Sequence, residues 1–438
     1  MLLELQRNMN LRDRLLTHRA APAVAFAVMI SVQLGTLALK VFDLAPGLAG
    51  LPIDSGPDGT PRRDVAYLGA FLLACATVIV VGRYWPRFRD ATNALLGAAF
   101  ALIVGGPVHA TMILALAAII YFVAPRFNGY VSMVGTIVLL LLAFRYVVPA
   151  SNWHVHWHCL RLVSFAFEAK SARKRSFVSF LAYAPFGLLL MTGVPVMISY
   201  LTYTTKRSRE ELDLMGTKQL LLGAAKVIAL IAVYDFFASR ITSLEAFLSS
   251  PLWLRLAMFP GGYALAYLFL SSLCDFNTGC SNLAGYLAPA AFNAPFLADT
   301  PFEFWRRWNV HVMGFLRATC LFPLGKRKVP VAIIAFIAMT ASGALHFLAE
   351  CFDRGKTMTR DDLVASLIQN ASFPFIGIIL LVTIPWEKNR NEIKHKWIGV
   401  VVTQAFYCAF FLALGINLIV PTARIDTLKH LHLLREMF

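Results

Sequence analysis

Long apolar segments recur along the whole chain, with few polar residues between them. A helix that crosses a membrane needs about 20 mostly apolar residues. Runs of that length are clear at 20–39, 65–82, 180–205, 256–273, 329–349, 365–386 and 397–423. Weaker candidates lie at 130–151, 219–239 and 310–325. The apolar stretch 94–125 contains Gly105-Gly106-Pro107, which predicts two short helices joined by a tight turn. The pattern predicts an all-α polytopic integral membrane protein with about ten to eleven transmembrane or re-entrant helices.

The composition supports this class. Hydrophobic residues make up 58% of the chain and charged residues 15%, whereas soluble proteins carry about 25% charged residues. The net charge of +16 would suggest nucleic-acid binding in a soluble protein. Here the basic residues form short clusters between apolar runs, as in cytoplasmic loops, so we expect membrane lipids and no nucleic acid as partners. The 7 cysteines form no CxxC pair, and we expect them to be small buried apolar side chains.

Charge patterning also predicts an orientation. Basic residues before the first apolar run indicate a cytoplasmic N-terminus and a signal-anchor helix rather than a cleaved leader. These residues are Arg7, Arg12, Arg14 and Arg19. Basic clusters at 83–89, 326–328 and 388–396 are expected inside, and the acidic loops 43–64 and 350–364 outside. Short loops favour the bacterial inner (plasma) membrane, although the same charge rule holds in the endoplasmic reticulum.

One segment differs from the apolar runs. Residues 275–317 are rich in Phe, Asn, Pro and Trp. Irregular backbone at membrane depth is tolerated only beside protein or a water-filled cavity, so we expect a cavity here. The following span, 329–349, contains a single titratable residue, His346. An ionisable residue in a span indicates a functional site, with a structural helix–helix hydrogen bond as the alternative. The small residues 341–344 just before it would let another helix or a substrate chain come close.

These segments resemble the membrane-bound O-acyltransferase (MBOAT) family. The matching elements are Asp275-Phe276-Asn277, FNAPFL at 292–297, TPFEFWRRWN at 300–309, Pro323-Leu324-Gly325 and Ser342-Gly343-Ala344-Leu345-His346, with Gly193-Val194-Pro195 upstream. The likeness covers roughly 160–350 and is greatest to the branch that acetylates bacterial polysaccharides. That branch has His where this chain has Asn309, but the sterol and diacylglycerol acyltransferase branch has Asn there.

The resemblance implies an organisation and an activity. Residues 1–150 would be N-terminal transmembrane helices, 151–350 the catalytic core around a central catalytic tunnel, and 351–438 C-terminal helices and a tail. The expected reaction moves an acetyl or other short acyl group from acyl-CoA onto a hydroxyl of a glycan, a lipid or a secreted metabolite. Acyl-CoA would be the donor substrate, with no bound cofactor or metal. An accessory acyl-carrier or periplasmic partner protein is an open alternative.

The chemistry of acyl transfer assigns roles to the matched residues. The acceptor hydroxyl must lose a proton, the oxyanion must be stabilised, and water must be kept from the thioester. We expect His346 to be the general base, because a desolvated imidazole stays neutral, and Asn309 to be its polar partner. The alternative for Asn309 is a buried amide that caps a helix end.

Other side chains in these motifs are candidates for substrate binding. Arg306 and Arg307 could bind the phosphates of the donor or, equally, lipid headgroups. Trp305 and Trp308 are binding candidates that could instead be packing or interface anchors. The remaining candidates are Asn293, Asp275 and Ser342.

Two other interpretations of these residues compete with an acyltransferase. A transporter or channel could use His346 and the Asn-rich stretch as a permeation path, but no inverted repeat is visible and the FWRRW block has no role in transport. The HVHWH cluster of His154, His156 and His158 would place its histidines on one face of a strand. No nearby Cys or acid completes a metal site, so we expect an interfacial loop there.

Overall fold

The computed structural model describes residues 62–146, 155–172, 176–190, 198–354, 358–388 and 396–419. Within these ranges the regular structure is helical and contains no strand. Several sequence predictions lie outside the described residues, namely the run 20–39, the tail 424–438, the Gly193-Val194-Pro195 element and His154.

The helices follow one another with short connections. They are α1 (Arg62–Tyr84), α2 (Arg89–Val123), α3 (Gly129–Tyr146), α4 (Val155–Ala172), α5 (Phe177–Tyr183), α6 (Tyr200–Tyr203), α7 (Arg209–Ala238), α8 (Leu244–Leu248), α9 (Leu252–Ala284), α10 (Pro301–Arg307), α11 (Val310–Leu316), α12 (Phe322–Lys326), α13 (Val331–Arg354), α14 (Arg360–Asn370), α15 (Ser372–Lys388) and α16 (Lys396–Ile419). A π-helical turn, Arg317–Leu321, joins α11 to α12.

Six of the described segments are long and apolar enough to cross a membrane. They are Gly106–Arg126, Gly129–Tyr146, Arg209–Ala238, Leu252–Ala284, Val331–Phe352 and Asp362–Ile384. Shorter apolar segments that are mainly helical cover Phe71–Tyr84, Phe177–Leu190 and Ile398–Leu412. These helices indicate an integral membrane protein, in agreement with the class predicted from the sequence.

Two predicted features of the spans have different outcomes. The expected break in 94–125 is confirmed, because Gly106 has φ 79° and ψ 170°, and Pro107 follows it within α2. The expected span 180–205 is wrong as a single helix. Helix α5 ends at Tyr183, and the chain turns at 184–187 before a 3₁₀ turn, Leu188–Leu190. Pro185 and Gly187 explain this break, since neither favours a helix interior.

The chain forms two compact units, each built from separate segments. The first takes its described residues from within Met1–Ala143, Val147–Ala225 and Ser272–Ala290, and the second from within Phe144–Tyr146, Lys226–Ser271 and Ala291–Phe438. The long helices α7 and α9 therefore contribute residues to both units. The functional division at 150 and 350 stays a prediction.

In the first unit, the last turns of α9 pack tightly on the first half of α7. A Cβ on Gly216 would lie 2.9 Å from the Gly279 carbonyl oxygen. A Cβ on Gly279 would lie 3.2 Å from the Gly216 carbonyl oxygen. The approach is so close that any side chain at either position would force the helices apart. Beside this contact, Asp275 is 1% exposed and its Cβ lies 3.3 Å from where a Cβ of Gly223 would be.

The turn that follows α9 is held by side chains. The Asn282 Nδ2 amide donates to the Gln219 Oε1 atom (2.6 Å) and to the Ala288 carbonyl (2.7 Å). The Asn282 Oδ1 atom accepts from the Ala288 amide at 2.9 Å. All three residues are buried, so these bonds satisfy polar groups that would otherwise lose their water partners.

Arginines cap the carboxyl end of α9. Arg209 donates to the Leu283 carbonyl, and Arg89 donates to the Gly285 carbonyl at 2.5 Å. Asp213 forms ion pairs with Arg83 at 2.6 Å and Arg209 at 3.0 Å. Gly285 has φ +95°, and a Cβ there would lie 3.2 Å from a guanidinium nitrogen of each of Arg89 and Arg209. Cations at a helix carboxyl terminus are favourable because they oppose the helix dipole.

Two charged residues within apolar sequence make specific contacts. In the first unit, Glu168 accepts a hydrogen bond from the Leu201 amide at 3.5 Å. Burial raises the pKa of Glu168, while hydrogen bonds from Ser199 and the Leu201 backbone oppose the rise. In the second unit, the Lys226 ammonium lies 5.3 Å from the centre of the Tyr267 ring.

The packing of the first unit can be tested at Gly97. A Cβ at Gly97 would lie 1.9 Å from the Phe186 carbonyl oxygen, so Gly97→Ala should lower stability by about 1–3 kcal/mol. Gly135→Ala is the matched control, because nothing lies within 4 Å of its Cβ position and alanine favours a helix. Thermal unfolding in detergent measures both. Equal melting temperatures for the two variants would contradict the packing.

Candidate functional site

The FWRRW block forms the short helix α10 in the second unit. Thr300 is its N-cap, and the Thr300 hydroxyl accepts from the Glu303 amide at 3.0 Å. Pro301 occupies the first helical position, where its missing N–H costs nothing. The helix ends at Arg307, and the Trp308 amide donates to the Phe304 carbonyl at 2.8 Å. A polar cap and a proline therefore fix where the block becomes helical.

The aromatic residues of the block pack against α16. The rings of Phe304 and Tyr407 stack with centroids 3.5 Å apart, and Trp308 stacks on Phe411 at 4.7 Å. Trp305 and Trp308 are each 8% exposed. Packing therefore accounts for most of their surface, as the alternative interpretation expected. The Trp305 Nε1 donor, however, is buried and has no hydrogen-bond partner among the described residues.

One carboxylate holds both arginines of the block. Glu303 forms ion pairs with Arg307 at 2.7 Å and with Arg306 at 3.0 Å, using a different oxygen for each. The Arg306 side chain is still 52% exposed, against 28% for Arg307. The exposed Asn293 contacts this helix through its backbone, since the Asn293 backbone N–H donates to the Arg307 carbonyl at 3.0 Å. The cluster keeps a net positive charge, with Arg306 as its more accessible group.

Asn309 joins α10 to α11 in a left-handed conformation. Its φ is 40° and its ψ is 68°, a region that asparagine tolerates better than most residues. The Asn309 Oδ1 atom accepts from the Val312 amide at 3.4 Å and thereby caps α11. The next residue, Val310, donates its amide to the Ala291 carbonyl at 2.6 Å. The capping role considered from the sequence is therefore present.

His346 lies on α13, and its imidazole is oriented by the preceding turn. The Nδ1 atom lies 2.8 Å from the Ser342 backbone carbonyl oxygen. A carbonyl oxygen only accepts, so Nδ1 carries the proton and Nε2 keeps its lone pair. Ser342 is 5% exposed and orients the ring through its backbone carbonyl. Nε2 is therefore the ring nitrogen that can accept a proton.

Phe373 connects His346 to the FWRRW block. The His346 and Phe373 rings stack with centroids 4.3 Å apart, and Phe373 also contacts Trp305 at 6.2 Å. The start of α15 comes this close because Gly343 has no side chain. A Cβ at Gly343 would lie 3.0 Å from both the Asn370 carbonyl oxygen and the Phe373 Cβ. The small residues before His346 thus allow close helix packing, as predicted.

The second unit therefore contains most of the predicted site residues. They are His346, Ser342, Asn309, Trp305, Trp308, Arg306, Arg307 and Asn293. Helix α11, which Asn309 caps, packs on α13, which carries His346. Asp275 belongs to the first unit.

A buried histidine of the second unit was missed in the sequence analysis. His311 lies on α11, two residues after Asn309, and is 6% exposed. The same rule that singled out His346, a titratable residue within an apolar helix, would have found it. The segment 310–325 is only a weaker candidate for a span because it is short, and His311 falls between the matched motifs that end at Asn309 and begin at Pro323.

The described residues contain no group of three or more His, Cys, Asp or Glu side chains that could hold a metal ion. The loop expected at HVHWH is wrong where it can be checked, because His156 and His158 belong to helix α4.

Comparison with known proteins gives one partial similarity. No family model matches this chain. Over 68 residues, 16% of its length, the chain is 32% identical to a peptidoglycan O-acetyltransferase of Helicobacter pylori. The matched part spans 13% of that relative's length. Together with the apolar helices, this similarity supports, at a coarse level, a membrane protein related to O-acetyltransferases.

Proposed function

We propose that this chain is a membrane-embedded O-acyltransferase of the MBOAT type. It transfers an acetyl or other short acyl group from acyl-CoA to a hydroxyl of a glycan, a lipid or a secreted metabolite. The observation that carries the proposal is the environment of His346. Its Nδ1 atom is hydrogen-bonded to the Ser342 carbonyl, and its ring stacks on Phe373, which contacts Trp305. The partial similarity to an O-acetyltransferase supports the same class of reaction.

In the proposed reaction, His346 acts as the general base. Its Nε2 takes the proton of the acceptor hydroxyl as that oxygen attacks the thioester carbonyl. The tetrahedral intermediate collapses with formation of the ester and cleavage of the carbon–sulfur bond. The thiolate of CoA leaves and takes the proton back from the imidazolium. No oxidant or metal is needed, and the His346 ring returns to its starting tautomer.

Stabilisation of the oxyanion is assigned to N–H donors near the block. The Asn309 Oδ1 atom caps α11. Within this proposal, the group of Asn309 that would donate to the oxyanion is therefore Nδ2. The Trp305 Nε1 is a second candidate, because it is a buried donor with no hydrogen-bond partner within the described part of the chain. Donors already fixed by packing need little reorganisation when negative charge develops.

Binding of the donor is assigned to the charged edge of α10. Arg306 is the more exposed arginine, and Glu303 holds it beside Arg307, so the pair can meet the phosphates of acyl-CoA. Asn293 and Ser342 complete the proposed binding set, with Trp308 as the packing support of the block. The wider proposal includes ten to eleven helices around a central tunnel that excludes water.

The cellular setting is part of the same proposal. The positive-inside pattern favours a bacterial inner membrane with a cytoplasmic N-terminus. Acyl-CoA would then be available at the cytoplasmic face, and the acceptor would be reached across the membrane. An accessory acyl-carrier or periplasmic protein would be required if the hydroxyl acceptor does not itself reach the site.

The general base can be tested by replacing His346. We expect His346→Ala to lower thiol release from acyl-CoA by about 100-fold or more, because general-base catalysis contributes that much. The measurement uses purified protein in detergent with an acceptor panel and donors from acetyl-CoA to palmitoyl-CoA. Thr340→Val is the matched control on the same helix, since Thr340 is exposed and, among the described residues, its side chain bonds to the Phe336 carbonyl alone.

Full turnover by the folded His346→Ala protein would remove His346 from the mechanism. No thiol release by the unmodified protein with any donor and acceptor would favour the transporter or channel instead. The preferred donor length separates a short-chain acetyltransferase from a lipid enzyme.

The two roles of Asn309 can be separated by a substitution series. Aspartate keeps an oxygen for the cap, glycine keeps only the backbone freedom, and alanine keeps neither, so stability should fall in the order Asp, Gly, Ala. We expect Asn309→Ala to cost about 1–2 kcal/mol in unfolding free energy. Asn309→Asp should remain stable yet lose kcat for thiol release, because it lacks the Nδ2 donor. A fully active Asn309→Asp protein would restrict Asn309 to capping α11.

A further inference from the structure

An apolar groove lies within the second unit, between the end of α7 and the first half of α9. Its volume is about 460 Å³. Its walls include Val233, Phe236 and Phe237 on α7 and Pro260, Gly261 and Ala264 on α9. The lining is almost entirely apolar, and both helices are candidate membrane spans. A groove of this composition fits a hydrocarbon chain rather than a polar ligand.

Small residues on α9 create the groove. At its base, a Cβ on Gly261 would lie 2.2 Å from the Phe237 ring, so the two helices touch there. Phe237 is buried, whereas its neighbour Phe236 is 41% exposed and forms an outer wall. Pro260 and Ala264 leave space beside that wall because they have short side chains.

The groove begins close to one membrane surface. Helix α7 ends at Ala238 and α9 begins at Leu252, and the connection between these two ends is short. Both ends therefore lie on the same side of the membrane. At a rise of 1.5 Å per residue, the lining residues lie within about 18 Å of these ends, which is the depth of the acyl chains of one leaflet.

A cationic group stands at the mouth of the groove. Arg240, two residues beyond α7, places its guanidinium 4.2 Å from the centre of the Phe236 ring. Its Nη1 atom donates to the Phe236 carbonyl at 2.6 Å and to the Ser239 hydroxyl at 3.0 Å. Arg240 is exposed, and within the described residues it forms no ion pair. Trp253, 56% exposed at the start of α9, is typical of a membrane interface.

We propose that this groove binds an anionic glycerophospholipid of the bilayer, with one acyl chain between α7 and α9 and the phosphate on Arg240. The apolar groove would bind the acyl chain, and the Arg240 guanidinium would favour a lipid with a net negative charge. A zwitterionic lipid would enter the same groove but would gain less at Arg240, because its own cationic group offsets the phosphate. Attraction to one basic residue near the surface corresponds to a preference of about fivefold for the anionic lipid.

The test uses brominated phospholipids, which quench tryptophan fluorescence at contact. The protein and its Trp253→Phe variant are reconstituted in phosphatidylcholine vesicles, and the difference between their signals reports on Trp253. Brominated phosphatidylglycerol should quench Trp253 at about one-fifth of the mole fraction that brominated phosphatidylcholine requires. Arg240→Gln should remove this preference, and Ala232→Phe, which fills the groove from an exposed position, should weaken quenching by both lipids.

Matched controls separate this site from general attraction to the membrane. Arg126→Gln removes an exposed charge, and Ala115→Phe enlarges an exposed alanine in another span, so neither should change the quenching of Trp253. Equal quenching by the two lipids in the unmodified protein would overturn the proposal. So would a preference that survives in Arg240→Gln, or quenching that is unchanged in Ala232→Phe.

Discussion

A helix that ends within a membrane protein must find partners for its last carbonyl groups, and the end of α9 is where this constraint is met. Each unsatisfied backbone group in a dry interior would cost several kcal/mol. Arg209 and Arg89 donate to the Leu283 and Gly285 carbonyls, and Asn282 holds the amide and the carbonyl of Ala288. The chain can then leave the helix at this point, and the irregular segment that leads to the FWRRW block begins here.

The same rule governs the segments that form the candidate site. Thr300 satisfies the start of α10, and Asn309 satisfies the start of α11, where the backbone takes a conformation that few residues adopt. Glu303 holds two guanidiniums that would otherwise repel each other. The residues that the sequence motif marks as unusual thus have local structural tasks. With the helix ends fixed in this way, the aromatic rings of the block pack against α16. Trp305 also contacts Phe373, which stacks on His346.

The sequence predicted the features that follow from long apolar runs or from residues that break helices. Apolar length identified most of the spans, and Gly106 with Pro107 identified the break in α2. His346 was singled out because it is the one titratable residue in its span. The break within 180–205 was missed although Pro185 and Gly187 signal it, because the length of the apolar run was given more weight than these two residues. Nor could it assign Glu303 to both arginines, since such pairing depends on side-chain geometry. His311 was overlooked because its helix is short.

The position of Phe373 also has a consequence for the evolution of this fold. Its ring contacts His346 and Trp305, and its Cβ lies where a side chain at Gly343 would have to go. A larger residue at 343 would therefore need a smaller or displaced one at 373, and that change would leave the imidazole without its stacking partner. Positions 343, 346 and 373 are therefore coupled, and in related sequences they should vary together rather than one at a time.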